Sequence, residues 1–499
     1  MQRSSVPAIP PVDDQRNDQP RERRRGWLGR RSALPPGPRG LPILGTALTL
    51  FRDPLGLLRD LGHHYGPVSF TRFGPFSVFM LNDVELIDTV LVGQHRRCVK
   101  DKSTRDLMPL AGRGLLTSEG EAWRQQRKLA APPLQPKRIT GYAQTMQDCV
   151  ERACAALGDG RERDVHAELA QLTLEIVGKT LLGVDARADA ERIAHVLDVF
   201  MKYFERQAYT AESLLPPSWP TPARVRMRRA VRELDAIIYP MIERCRSSGA
   251  DQDHLLARLV NARDEDGQPM SDLQLRDEAV TMLLAGHETT ALVLSYAVYL
   301  SSTHPEVARR LRAEVDPAFA TGSADPMALC ALPYLNAVVR ETMRLYPPAY
   351  AIGREVVEPF ELGGYALPRG AQLLISPYTL HRDPRFYPEP ERFHPERWLD
   401  PAGAVPRLAY LPFGGGPRVC IGNHFATMEL AIVLATLVHR LELEVPASYQ
   451  LTLAPLVTLR LAGGLPARVS KRHGSESLIA GASPAQRASA APNVELDRA

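Results

Sequence analysis

Apolar residues recur at helical spacing along most of this chain. A repeat every three or four positions is typical of amphipathic helices that bury one face. It predicts helices over Val165–Leu182, Ile193–Phe204, Val225–Ile238, Leu335–Leu345 and Phe425–Leu441. The longest apolar stretch, Ala279–Leu300, contains His287 and Glu288. Polar groups at that depth indicate a buried core helix rather than a membrane span.

Short extended segments predict a smaller β portion. They are Pro67–Phe73 and Ser77–Leu81 near the start, and Gln372–Ile375 and Leu451–Leu461 near the end. No internal repeat is present. The pattern as a whole predicts a mainly α protein with a smaller β portion.

Composition and charge favour one large globular unit. The chain has 499 residues, of which 44% are hydrophobic and 24% charged, which is ordinary globular composition. We find no clear linker between about Leu34 and Ser470, and we therefore expect a single helical domain over residues 34–470. The net charge of +4 is too small to indicate nucleic acid binding.

Both ends of the chain look disordered. Residues 1–33 form a polar arm with a run of arginines, and residues 471–499 are rich in Ala, Ser and Arg. Such basic arms are mostly solvated tails, and the alternative is a peripheral contact with anionic lipid. The arm lacks the apolar core of a signal peptide or membrane anchor.

The cysteines point to a reducing compartment. There are six, without a C-x-x-C pair or a regular framework. This usage predicts a cytoplasmic protein.

One cysteine lies in a glycine-rich loop, in the string Phe413–Gly422. Glycines let the backbone turn tightly and approach a planar ligand closely. A helix that starts just after Cys420 would direct free N–H groups and a positive dipole end at the sulfur, which favours the metal-binding thiolate. Arg418 could neutralise an acidic group on the same ligand. The alternative is a glycine-rich turn with a buried structural cysteine.

The loop resembles the haem-binding loop of cytochromes P450, whose haem has a thiolate ligand. The five fixed positions of that motif match Phe413, Gly416, Arg418, Cys420 and Gly422. The resemblance covers about residues 34–468. It implies the P450 fold, a single large helical domain with a β-rich N-terminal lobe, and haem b with Cys420 as the axial iron ligand.

A costly polar cluster interrupts the long apolar helix. The string Ala285-Gly286-His287-Glu288-Thr289-Thr290 carries desolvation penalties and suggests a local opening with room for a small ligand, or a helix kink. It resembles the family's oxygen-binding groove. By that resemblance Ala285 and Gly286 let the helix pass close over the haem, Thr289 hydrogen-bonds oxygen or its water, and Glu288 delivers protons.

Two further motifs match the family. Glu341 and Arg344 resemble the E-x-x-R pair, and a later arginine would complete a structural clamp beneath the haem loop. The segment Phe393–Trp398 resembles the family's F-x-P-E-R-F, and its spacing favours Arg397 for this role. Arg392 stays open, because Pro390–Phe393 is a near-copy of part of that segment. Trp398 replaces the usual phenylalanine.

More arginines match positions that hold the haem carboxylates, the propionates. Trp123 and Arg127 share a helix face and resemble W-x-x-x-R, and Arg354 follows the Pro347-Pro348 turn. Together with Arg418 they suit a cofactor with two acidic groups.

The resemblance implies a monomeric monooxygenase that inserts one oxygen atom from O2 into a lipophilic molecule such as a fatty acid, terpenoid or polyketide. Substrate contacts would come from Lys100–Leu116, Phe200–Pro220, Ala349–Ile352 and Leu456–Leu459, and from the oxygen helix. The chain has no reductase-like segment, so electrons would come from a ferredoxin or flavodoxin with its NAD(P)H reductase, attracted by Arg124 and Lys128. The rival readings are a peroxide-using haem enzyme or haem isomerase, which often lack the acid–alcohol pair, and a non-catalytic haem sensor.

Overall fold

The structure is a computed structural model that describes residues 34–183, 189–209, 216, 219–247, 254–263, 266–320, 322–400 and 405–472. The predicted N-terminal arm, residues 1–33, lies outside the described residues, as do residues 473–499 of the predicted C-terminal tail. The predicted boundary at 470 falls inside the last strand, and Arg472 still bonds Asp316, with Nη1 2.9 Å from Oδ1.

Helices make up most of the described chain. They are α1 (Ala47–Arg52), α2 (Pro54–His63), α3 (Val84–Asp88), α4 (Lys102–Arg105), α5 (Met108–Ala111), α6 (Gly120–Ala130), α7 (Pro136–Ile139), α8 (Ala143–Leu157), α9 (Val165–Val177), α10 (Ala190–Tyr209), α11 (Pro222–Ser247), α12 (Leu255–Asn261), α13 (Asp272–Thr303), α14 (Pro305–Val315), α15 (Pro326–Cys330), α16 (Pro333–Leu345), α17 (Pro377–Leu380) and α18 (Asn423–Arg440).

The strands are short. They are β1 (Val68–Phe73), β2 (Phe76–Leu81), β3 (Cys98–Lys100), β4 (Asp159–Asp164), β5 (Ile352–Val356), β6 (Phe360–Leu362), β7 (Tyr365–Leu367), β8 (Gln372–Ile375), β9 (Leu441–Glu444), β10 (Leu453–Pro455), β11 (Leu459–Leu461) and β12 (Pro466–Lys471). The largest sheet has the order β1-β2-β8-β5-β3, and a second has the order β4-β12-β9. Two hairpins, β6–β7 and β10–β11, complete the β portion.

The predicted fold class is confirmed, with two refinements. The β lobe is not purely N-terminal, because β8 pairs in parallel with β2 and antiparallel with β5. The predicted strand Leu451–Leu461 is wrong as one strand. It forms the β10–β11 hairpin, whose turn is closed by a hydrogen bond from Leu456 N to Thr458 O of 3.0 Å.

The core is built around α13. A capping box starts this helix, in which Ser271 and Gln274 satisfy each other's backbone N–H groups. The helix packs against α9, α16 and α18 and is almost fully buried along its middle, as its apolar pattern predicts. It runs unbroken through the polar cluster, so the expected opening is not a break in the helix.

Every helix within the described ranges is too short or too polar to cross a membrane.

Candidate active site

The glycine-rich loop folds back on itself before α18. The backbone N–H of Cys420 donates to Phe413 O at 2.9 Å. Gly416 has a φ of 68°, and a Cβ at this position would overlap the carbonyl oxygen of Leu91. Only glycine fits there without strain. The loop then delivers Cys420 to the N-terminus of α18, with Gly422 as N-cap residue.

The Cys420 sulfur experiences opposing effects. Solvent reaches the side chain, yet burial among protein atoms raises the pKa of the thiol. A hydrogen bond from the Gly422 backbone and the charge of Arg127 act in the opposite direction and lower that pKa. The helix N-terminus therefore supports the thiolate as the sequence predicts, but burial outweighs it in the protein alone. A metal cation would favour the thiolate by its own charge.

Several charged side chains converge beside this loop. They are the cations Lys100, Arg127, Arg354 and Arg418 and the carboxylates Asp101 and Glu119. Arg418 Nη2 donates to Ser118 O at 2.9 Å and to the Glu119 carboxylate. Its guanidinium carbon lies 4.0 Å from the centroid of the Trp123 ring. Arg127 Nη1 donates to Val419 O at 3.0 Å, one residue before the cysteine.

This cluster fits a ligand with acidic groups. Its cations outnumber its carboxylates, and burial lowers the pKa of Arg354, of Arg418 and of Lys100, the last to about 7. Arg418 Nη1 is buried and has no hydrogen-bond partner among the described residues. A buried donor of this kind calls for an acceptor. The haem carboxylates that the sequence predicts here would supply it.

Lys100 and Glu119 were missed by sequence reasoning. Lys100 lies in strand β3 without a motif around it. Glu119 stands directly before α6, which carries Trp123 and Arg127. Its place beside that helix is the one signal that could have drawn attention to it.

Helix α13, which carries the predicted oxygen-binding string Ala285–Thr290, presents one accessible face. Ala285 is exposed, and Leu284, Gly286 and Thr289 are partly exposed, within a stretch of α13 whose other residues are buried. The Thr289 hydroxyl donates to Ala285 O at 2.7 Å. Gly286 faces the other way, since a Cβ there would lie 2.9 Å from Val177 Cγ2 of α9. Of the predicted small pair, only Ala285 lies on the Thr289 face, while Gly286 allows α9 and α13 to pack closely.

Glu288 points away from the Thr289 face. Its Oε1 accepts hydrogen bonds from Thr458 Oγ1 and Arg460 Nε, each at 2.6 Å. Burial raises the pKa of this carboxyl, but the bonds and charge of Arg460 and the Thr458 bond outweigh it, so that the pKa lies below its ordinary value. Glu288 is therefore a charged group held by the β10–β11 hairpin.

A second buried acid lies behind this helix and was also missed. Glu429 of α18 is fully buried, and neither carboxyl oxygen has a hydrogen-bond partner within the described residues. Burial raises the pKa of Glu429 well above its ordinary value, and nearby Thr290 opposes this only in part. Burial between α18 and α13 thus favours the neutral form of this side chain. Its helical position marks it as inward-facing, but sequence spacing gives it no role.

The structure brings the clamp residues together. Glu341 is fully buried and accepts from Arg344 Nε at 2.8 Å and from Arg397 Nε at 3.0 Å. Arg392 instead pairs with Glu389 at the surface, with Nη1 3.0 Å from Oε2. Between the two arginines that the sequence left open, Arg397 makes the contact.

The apolar residues of the predicted substrate regions divide into two groups. Leu110, Leu115, Phe200 and Leu283 are buried in the core. Met108, Tyr203, Phe204, Leu284, Ile352, Leu456 and Val457 are partly exposed, and Ala349 is exposed. Much of Phe200–Pro220 lies outside the described residues. The accessible apolar side chains could contact a lipophilic ligand, whereas most accessible residues of Lys100–Leu116 are polar.

Comparison with known proteins identifies the family. The chain matches the family Cytochrome P450 over residues 35–458. It is 36% identical to cyclooctatin synthase of Streptomyces melanosporofaciens, over 81% of this chain and 88% of that protein. Cyclooctat-9-en-7-ol 5-monooxygenase of the same organism is 34% identical over 81% of this chain and 88% of its own length. Pentalenene oxygenase of Streptomyces avermitilis is 32% identical over 80% of this chain and 89% of its own length.

The chain therefore belongs to the cytochrome P450 family. It is a monooxygenase that uses haem iron, O2 and a separate source of electrons to oxidise a lipophilic molecule. These predictions from the sequence are confirmed. The roles assigned to individual site residues stay predictions.

Proposed function

We propose that this enzyme hydroxylates a cyclic terpene or a sparsely oxygenated terpenoid, with haem b bound by Cys420. The observation that carries the proposal is the accessible face of α13, where the Thr289 hydroxyl lies one turn from Ala285 and the neighbouring accessible residues, Leu284 and Gly286, are uncharged. Relatives named for cyclooctatin and pentalenene support a terpenoid over a fatty acid or polyketide. A terpene also needs no ionic partner in the pocket.

The residues around the cysteine loop would hold the cofactor. Haem with a thiolate ligand supplies the oxygen activation of this family. Cys420 provides the thiolate, and Gly416 lets the loop approach closely. Arg127, Arg354 and Arg418 bind the acidic groups of the cofactor, because charge-assisted hydrogen bonds from arginine are strong and directional.

We propose that Thr289 takes part in proton transfer. Its single hydroxyl hydrogen is committed to Ala285 O, so the lone pairs of Oγ1 are left to accept a hydrogen bond from water at the accessible face. Glu288 is a carboxylate in these contacts, so it can deliver a proton there only after it parts from Arg460 and Thr458 and takes up a proton from solvent water. We propose that this release precedes proton delivery.

We further propose a ferredoxin or flavodoxin as the electron donor, a monomeric enzyme and a cytoplasmic location. A groove of about 710 Å³ borders the cysteine loop, and Arg340 and Arg407 are among its lining residues. Arg124 and Lys128 of α6 are exposed. Basic side chains on the side of the Cys420 loop favour the binding of an acidic electron-donor protein. All six cysteines are unpaired thiols, as a reducing compartment requires.

The test uses the purified holoenzyme with ferredoxin, its reductase and NAD(P)H. Cyclic terpenes and fatty acids of matched size are compared for substrate-induced spectral shifts and for product formed under isotopically labelled dioxygen. We expect a terpenoid product that carries one labelled oxygen. Turnover of fatty acids alone would refute the substrate class. A ferrous carbonyl complex without the red-shifted Soret band would refute thiolate ligation.

Thr289→Val, with Thr290→Val as its matched control, tests the proton site. Both changes remove one hydroxyl, but Thr290 is buried and donates to Gly286 O at 3.0 Å behind the helix. Thr289→Val should keep substrate binding while more NAD(P)H is diverted to peroxide. Thr290→Val should stay coupled. Equal uncoupling in both variants would contradict the role of Thr289, and full turnover with peroxide alone would favour the peroxide-using alternative.

A further inference from the structure

Glu119 is an acid at a helix N-cap that does not cap its helix. It precedes α6 with an extended backbone, φ −133° and ψ 168°, and its side chain makes no capping hydrogen bond. Oε1 instead accepts from the backbone N–H of Lys100 at 2.6 Å, and Oε2 accepts from Arg418 Nη2. The carboxylate thus joins the start of α6, strand β3 and the cysteine loop.

These contacts place a negative charge inside the cation cluster. The two terminal nitrogens of Arg418 differ in their contacts. Nη2 donates to Glu119 and to Ser118 O, whereas Nη1 has no hydrogen-bond partner among the described residues. Glu119 therefore fixes the plane of Arg418 and leaves its free edge for another acceptor. The Trp123 ring lies against the same guanidinium and restricts it further.

We propose that Glu119 is a positioning residue for the haem carboxylates and that its charge lowers the reduction potential of the haem iron. The proposal rests on the assignment of Arg418 to a haem carboxylate. A fixed negative charge near the cofactor stabilises the ferric state relative to the ferrous state, and net charge and hydrogen bonds around an iron site are established determinants of its potential. Glu119 also takes up part of the positive charge that would otherwise hold the cofactor.

The test removes the negative charge of Glu119 and keeps the size of its side chain. Glu119→Gln keeps an oxygen acceptor, and Glu121→Gln is the matched control because Glu121 lies on the same helix, is exposed and pairs with Arg124 at 2.6 Å. Midpoint potentials are measured by spectroelectrochemistry, and haem transfer to apomyoglobin is followed at low salt. Neither readout requires a substrate. We expect Glu119→Gln to shift the potential to more positive values and to slow haem transfer several-fold, while Glu121→Gln changes neither.

An unchanged potential in Glu119→Gln, or an equal shift in Glu121→Gln, would overturn the proposal. Glu119→Asp retains the charge and should keep a near wild-type potential. If Glu119→Gln does not fold, a positive shift in Glu119→Asp would overturn the proposal on its own. The ferrous carbonyl spectrum of the wild type separates a failure of the role of Glu119 from a failure of the proposed function. Absence of the thiolate band from that spectrum would refute haem ligation by Cys420, not the role of Glu119.

Discussion

The buried carboxylate of Glu341 gives the sharpest quantitative prediction. It is fully buried and accepts hydrogen bonds from five donors in two segments of the chain. These are Arg344 Nε and Nη2 at 2.8 and 2.9 Å, His394 N and Arg397 Nε at 3.0 Å each, and Trp398 Nε1 at 2.8 Å. A buried charge with this many partners depends on each of them.

Arg397→Ala removes one cation and leaves Arg344 as the remaining ionic partner. Breaking a buried pair outright costs about 3–5 kcal/mol. A single charge-assisted hydrogen bond contributes about 1.5–3 kcal/mol. Because Arg397 is 12% exposed and contacts Glu341 through Nε, we expect a loss of about 2–3 kcal/mol in the free energy of unfolding.

Arg392→Ala is the matched control. Arg392 pairs with Glu389, and both side chains are well exposed, at 60% and 68%. Such a surface pair contributes about 0–1 kcal/mol. The Arg392 carbonyl that accepts from Arg344 belongs to the backbone and survives the substitution.

Urea denaturation of the holoproteins, followed by far-ultraviolet circular dichroism, measures both variants. The comparison holds if the slopes match, because the midpoint shift then reports stability alone. Equal losses in the two variants, or a loss below about 0.5 kcal/mol for Arg397→Ala, would refute the reasoning from burial.

Three further predictions concern buried or strained positions. Glu429→Gln should stabilise the protein more at about pH 8 than at about pH 5, because the raised pKa of Glu429 makes its ionisation oppose folding as the pH rises above the ordinary glutamate range; an equal effect in urea at both values would contradict this. Gly416→Ala should lower the urea midpoint more than Gly74→Ala, since both have positive φ but only Gly416 would overlap the Leu91 carbonyl; equal losses would exclude the clash. Haem transfer to apomyoglobin should accelerate above about pH 7 in the wild type and stay constant in Lys100→Arg. Burial and the neighbouring arginines lower the pKa of Lys100 to about 7, whereas arginine stays charged. A parallel rise of the transfer rate in both proteins would argue against a charged Lys100 in cofactor binding.

Local patterns in the sequence predicted much of this protein. Helical spacing located α9, α10, α11, α16 and α18, because a helix that buries one face repeats its apolar residues with the period of the helix, and a long apolar stretch located α13. The cysteine loop was equally readable, since its glycines and Cys420 act within a few residues of each other. The β10–β11 hairpin was misread as one strand because an apolar run does not reveal where the chain reverses.

Only the tertiary structure decided which groups meet. Period indicates the buried face of a helix, but it does not say what lies against that face. Glu288 turned out to be bonded to Arg460, and Gly286 to face α9 rather than the Thr289 side. Glu119 accepts a hydrogen bond from Arg418, which lies 299 positions later in the sequence, and Glu429 is buried beside Thr290. These contacts join segments that are distant in sequence, and burial then sets the charge state of each group, which no local pattern contains.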